Sequence, residues 1–173
     1  PGNLLLDHQS HLYVTDFGLA RIEVDAGTTM SGDVLGTLRY MSPEQALGRA
    51  SSIDQRTDVY SLGATLYELL ALCPVHGSAD RQELLDQIRH QEPKPLRRID
   101  PGIPVELETI VQKSLAKSPA ERYSTALEMG EDLRRVLEDR PIRATPPSLA
   151  DHLTKWSLRH KTAVVTAIAI LIV

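Results

Sequence analysis

Asn3 and Asp16 stand thirteen positions apart near the start of the chain, on either side of a short apolar–polar–apolar run. Both side chains carry oxygen, the ligand atom that hard divalent cations take. Asp16 opens Asp16-Phe17-Gly18. Twenty-eight positions later Glu44 closes the block Gly36-Thr37-Leu38-Arg39-Tyr40-Met41-Ser42-Pro43-Glu44. A lone Asp-Phe-Gly says little, because three common residues recur by chance. The second block at this distance says much more.

Residues with such work to do need elements to hold them. Leu4-Leu5-Leu6 and Leu12-Tyr13-Val14 are apolar runs separated by polar residues 7–11, which predicts a small β-hairpin. Such a hairpin can bring Asn3 and Asp16 to one end. Residues 21–35 read as loop, and Pro43 to Leu47 as the start of a short helix. Thr57 to Leu72 predicts the central core helix. Val59, Leu62, Gly63, Leu66, Leu69 and Leu70 recur at helical spacing on more than one face, and Pro74 ends the run.

Ala79 to His90 predicts a surface helix with Leu84, Leu85 and Ile88 turned inward. Residues 92–104 hold four prolines and read as loop. Pro104 suits a first helical position, ahead of an inward face of Leu107, Ile110, Val111, Ser114 and Leu115. Thr125 and Glu128 predict a capping box for a helix carrying Met129, Leu133, Val136 and Leu137 on one side, stopped by Pro141. Residues 141–150 hold three prolines and read as a linker.

Composition bounds the function. The 173 residues are 42% apolar and 24% charged, which suits one globular domain. A net charge of −4 gives no reason to expect nucleic acid as a partner. The single cysteine, Cys73, rules out an internal disulfide and reads as a small buried residue. The six histidines show no metal-ligand spacing and read as surface or loop residues. The chain opens on Pro1 and stops at Val173 inside an apolar run, so a longer protein is expected on both sides.

The two blocks together resemble the activation segment of a protein kinase, which runs from Asp-Phe-Gly to Ala-Pro-Glu. The chain resembles most of the C-terminal lobe of bacterial eukaryotic-like, receptor-type serine/threonine kinases. The fold implied is the α+β protein-kinase-like fold, represented here by a mainly α-helical C-lobe with a short β-hairpin at its start. The division implied is a partial kinase lobe over 1–140, a juxtamembrane linker over 141–159 and the start of a transmembrane helix over 160–173.

The resemblance assigns roles residue by residue. Asp16 would hold magnesium, with Phe17 packed beneath it. Pro1-Gly2-Asn3-Leu4-Leu5 is similar to the end of the catalytic loop, so Asn3 would hold the second magnesium. Leu5 would floor the adenine pocket, though ordinary core would fit it as well. The cofactors implied are ATP and Mg2+, with Mn2+ as a substitute. Thr37 resembles the hydroxyl that supports the catalytic loop in serine/threonine kinases, and residues 38–40 would shape the pocket beside the acceptor.

Glu44 and Arg122 resemble a structural ion pair of the family. Asp58 resembles the residue that anchors the catalytic loop from the central helix; near a helix start it would also serve as a cap. Thr28, Thr29 and Ser31 sit where activation-loop phosphorylation occurs. Ser42 replaces the Ala of Ala-Pro-Glu, Tyr60 sits where Trp is frequent, and Cys73-Pro74-Val75 departs from the usual run. None of these removes a group with a chemical role.

The catalytic Asp would lie about three residues before Pro1, and the N-terminal lobe is absent from the sequence. The expected activity is transfer of the γ-phosphoryl of Mg-ATP to protein Ser or Thr by the full-length protein, with this piece inactive alone. The rival reading is a pseudokinase used as a signalling module. Residues 162–173 are apolar without a charge and follow Lys155, Arg159, His160 and Lys161. A single-pass anchor with the lobe in the cytosol is expected. The other partners expected are a protein substrate and a second copy of the kinase for autophosphorylation.

Overall fold

The computed structural model describes residues 4–15, 36, 38–48 and 53–146. Strands β1 (Leu4–Leu6) and β2 (Leu12–Val14) pair antiparallel, with Leu4 opposite Val14, Leu5 opposite Tyr13 and Leu6 opposite Leu12. The turn is built by Asp7. Its Oδ1 accepts the N–H groups of Gln9 at 2.8 Å and His11 at 2.9 Å, while Ser10 takes a left-handed φ of 64°. The hairpin expected from the sequence is therefore present, held by a side chain that substitutes for backbone acceptors.

The helices are α1 (Pro43–Ala46), α2 (Arg56–Ala71), α3 (Arg81–His90), α4 (Val105–Ser114) and α5 (Ala126–Leu137). Ser42, buried at the start of α1, explains its own departure from Ala. Its Oγ accepts Gln45 N–H while Gln45 Oε1 accepts Ser42 N–H at 2.9 Å, a complete capping box. On α5 the expected box is displaced by one residue. Thr125 Oγ1 accepts Glu128 N–H, but Glu128 Oε2 reaches Ser124 N–H at 2.9 Å. Pro104 is the residue before α4 rather than its first, a one-residue difference at a frayed boundary.

Helix α2 is central, as its apolar content predicts, but the buried face is narrower than the leucines suggest. Val59, Tyr60, Gly63, Ala64 and Tyr67 are buried, whereas Leu62 and Leu69 are exposed. Gly63 marks the crossing with α4. A Cβ built there would lie 2.6 Å from Ser114 Cβ, so only glycine lets the two backbones approach this closely. Tyr60, Ala64 and Tyr67 pack with Leu96, Ile103, Val111 and Leu115 on one side of α2. Val59 packs with Ile110, Tyr123, Met129 and Ala144 on another. Leu38, Ala46, Leu84 and Ile88 join α1 to α3.

Several expectations fail for physical reasons. Cys73 is exposed, because α2 has already ended in a left-handed turn at Leu72, φ 55°. His76 is buried, at 3% exposure, with Nε2 facing Lys117 Nζ at 3.2 Å. Burial first, and then the neighbouring ammonium, lower its pKa from 6.5 to about 3. Leu137 is exposed at the end of α5 and does not share the inward face of Met129. The chain after α5 does not leave the lobe at once: Ile142 packs against the Val59 cluster and Ala144 is buried in it. Among the described residues no helix is long and apolar enough to cross a membrane. The anchor expected at 160–173 lies outside them.

Candidate functional site

The described part of the site is the C-terminal end of the segment that begins at Asp16-Phe17-Gly18, together with the start of α2. Glu44 lies in the first turn of α1, and Arg122 in the extended turn before α5; both are 4% exposed. Arg122 Nη1 donates to Glu44 Oε1 at 2.7 Å and Nη2 to Oε2 at 2.8 Å. This is the paired-fork geometry that makes Arg–carboxylate bonds strong.

Arg122 spends its remaining N–H groups on backbone. Nε donates to Ala116 O at 2.8 Å, Nη1 also to Arg56 O at 3.0 Å, and Nη2 also to Lys117 O at 3.2 Å. Its guanidinium lies 5.0 Å from the centre of the Tyr60 ring. Thr57 adds a hydroxyl, donating Oγ1–H to Glu44 Oε1 at 2.8 Å. Burial works against the Glu44 carboxylate, but the bonds from Arg122 and Thr57 hold its pKa below the usual value. The pair is therefore ionised and satisfied, which is the condition for a buried ion pair to persist.

The stretch between Leu38 and Ser42 is fixed from below by α2. Leu38 is buried, Ser61 Oγ donates to Tyr40 O at 2.9 Å, and Tyr40 Oη donates to Glu68 Oε2 at 2.7 Å. Burial, then Glu68, push the Tyr40 hydroxyl pKa upward, so Tyr40 is a fixed neutral donor. Arg89 of α3 donates from Nε to Ala46 O at 3.0 Å, capping the far end of α1. Helices α2 and α3 thus converge on one short segment.

Of the residues singled out in the sequence, Glu44 and Arg122 are brought together. Asp58 is exposed in the first turn of α2, where its charge complements the helix dipole. It is not the cap: Asp54 Oδ1 accepts Arg56 N–H there, at 2.9 Å. Leu5 is 52% exposed on β1. Asn3, Asp16, Thr28, Thr29, Ser31 and Thr37 lie outside the described residues.

Thr57 and the Tyr40–Glu68 bond were missed by sequence reasoning. A hydroxyl one position before Asp58 was the available signal for the first. For the second there was none, because Tyr40 and Glu68 are 28 positions apart and both types are common.

Comparison with known proteins agrees with this geometry. Residues 1–133 match the protein kinase domain. The serine/threonine-protein kinase PknB of Mycobacterium leprae is 41% identical over 152 residues, covering 87% of this chain and 24% of that protein. The probable serine/threonine-protein kinase SCO3848 of Streptomyces coelicolor is 40% identical over 147 residues, covering 84% and 22%. The tyrosine-protein kinase MasK of Myxococcus xanthus is 37% identical over 139 residues, covering 80% and 21%. The chain spans about a quarter of the length of the curated relatives it matches. With the match running through the Glu44–Arg122 lock and into α5, the chain belongs to the protein kinase family.

Proposed function

We propose that this chain is the C-terminal-lobe part of a serine/threonine protein kinase that transfers the γ-phosphoryl group of Mg-ATP to protein hydroxyls. The observation that carries the reading is the buried Glu44–Arg122–Thr57 lock at the end of a segment opened by Asp16-Phe17-Gly18. Kinase catalysis is mostly positioning and charge stabilisation. A segment pinned at one end by a buried ion pair is what a substrate-facing loop needs.

The donor set fits the metal. The Asp16 carboxylate and the Asn3 amide oxygen suit a hard cation, and the hairpin pairs Leu4 with Val14 so that the chain enters and leaves at the same end. Asn3 and Asp16 would hold magnesium, which when bound neutralises phosphate charge. Thr37 would support the catalytic loop from the acceptor side, and Asp58 would anchor it from α2. Leu5 would line the nucleotide pocket, and Thr28, Thr29 or Ser31 would take a regulatory phosphate.

In this reading these 173 residues alone are inactive, because phosphoryl transfer also needs a general base and a phosphate clamp that the reading does not assign to any of them. The apolar stretch from residue 162, preceded by Lys155, Arg159 and Lys161, supports a membrane anchor with the lobe on the cytosolic side. Two copies anchored in one membrane would be placed to phosphorylate one another.

The experiment is phosphoryl transfer by the full-length protein from labelled Mg-ATP, with Asp16→Ala beside it. Activity should fall by about 10²-fold or more in the variant. Equal activity in both would sink the reading. The tyrosine kinase among the relatives supports a second reading for the acceptor. Phosphoamino-acid analysis of the product separates them: phosphoserine or phosphothreonine is expected, and phosphotyrosine alone would favour the second.

A further inference from the structure

The kinase match stops at residue 133, yet the folded lobe does not. Asp132 is 1% exposed and faces the chain that follows α5. Its Oδ1 accepts Arg143 N–H at 2.8 Å, and its Oδ2 accepts Ala144 N–H at 3.0 Å and the Tyr123 hydroxyl at 2.9 Å. Arg135 Nη1 donates to Pro141 O at 3.3 Å, and Arg143 Nη1 to Glu131 Oε2 at 2.8 Å. Ala144 is buried beside Val59, Ile110, Tyr123 and Met129, and Ile142 packs against them.

A segment held by two backbone N–H groups on one buried carboxylate is docked, whatever its side chains do outside. Carboxylates accepting such charge-assisted bonds are among the stronger polar contacts in a protein.

The far side of this network reaches the start of α2. Tyr123 lies between Arg122 and Ser124, and all three touch that start. Arg122 donates to Arg56 O, Ser124 O accepts from Gln55 Nε2 at 2.8 Å, and the Tyr123 ring packs on Val59. Thr57, in the same first turn, holds Glu44. Contacts therefore run without a gap from residues 142–144, through Asp132 and Tyr123, to residues 55–59, and on to the end of the activation segment.

We infer that residues 141–146 are a strap that ties the chain after α5 to the first turn of α2, so that docking of the strap sets the rigidity of that turn. The inference concerns coupling within the lobe and holds whether or not the catalytic reading does. If that reading also holds, the strap acts on the turn that carries Asp58 and on the lock at Glu44. Release of the strap would then reach the lock through packed atoms.

The test is hydrogen exchange on the full-length protein, comparing amides of residues 57–61 with those of α3 as an internal reference. Asp132→Asn replaces one acceptor oxygen with a donor facing donors. Ile142→Ala is the milder second variant. In both, exchange over 57–61 should quicken roughly tenfold or more while α3 keeps its native rate. Trypsin should also cut after Arg143 sooner than in the native protein. Arg143→Gln, which removes a side-chain ion pair but keeps the N–H, should leave 57–61 unchanged.

Three results would overturn the inference. One is unchanged exchange over 57–61 after trypsin has cut the strap. Another is equal acceleration in α3, which would mean general loosening. The third is an Arg143→Gln effect as large as that of Asp132→Asn.

Discussion

Arg122 meets Glu44 across 78 positions of sequence with two parallel bonds of 2.7 and 2.8 Å, and both groups are out of water. Lysine cannot reproduce a planar fork that also serves three carbonyls. Arg122→Lys, which keeps the charge but loses the fork, should therefore destabilise the lobe by about 1.5–3 kcal/mol, read as a shift in the urea midpoint. A change under about 1 kcal/mol would show that the pair is replaceable by a point charge.

Acid should weaken the fold through His76. Its folded pKa is lowered from 6.5 to about 3, so the folded state resists the proton that the unfolded chain accepts. The stability contributed by the neutral imidazole is whole above pH 6.5 and declines as pH falls from there toward 3, by at most about 1.4 kcal/mol per pH unit. His76→Gln removes this titration. Unfolding measured at pH 7 and pH 5 should show a smaller acid loss in the variant; an equal loss would place the proton uptake elsewhere.

Glycine at 63 should be irreplaceable although it costs helix propensity. Alanine gains about 1 kcal/mol in an ordinary helix interior. Here its methyl would sit 2.6 Å from Ser114 Cβ, and Ser114 is fully buried with Oγ bonded to Ile110 O at 2.8 Å. Overpacking of this kind typically costs about 1–3 kcal/mol, so Gly63→Ala should lower the thermal midpoint. A raised midpoint would mean that α2 and α4 separate freely.

Leu72 invites the opposite change. It closes α2 at φ 55° and is 89% exposed. The left-handed conformation costs a branched residue roughly 1–2 kcal/mol, and glycine escapes that while losing some chain entropy. Leu72→Gly should stabilise the lobe by about 0.5–1 kcal/mol in chemical unfolding. A clear loss would reveal a contact for the leucine side chain.

Much of this arrangement could be read from residue order, and the boundary of legibility is physical. The hairpin, the central helix and the Glu44–Arg122 pair follow from apolar spacing or from motif resemblance. Each involves side chains whose types announce their use. The Asp132 site was illegible because an aspartate in an amphipathic helix looks solvated, and two of its partners are backbone N–H groups that every residue possesses. His76 lies in a loop, as read, but its burial was illegible for a related reason: the group that faces it, Lys117 Nζ, comes from 41 positions away and is itself tied to Ile88 O at 2.8 Å. Leu62, Leu69 and Leu137 failed in the other direction, since residue type alone does not tell which side of a helix has a neighbour.

The hairpin carries a practical consequence. Leu5, Leu6, Leu12 and Tyr13 are all more than half exposed on it, and among the described residues the sheet has two strands only. A ribbon of that kind offers sticky flanks and open rungs to any passing copy. Produced without the rest of its protein, this piece should form concentration-dependent aggregates that light scattering detects, and charged replacements at Leu6 and Leu12 should keep it dispersed.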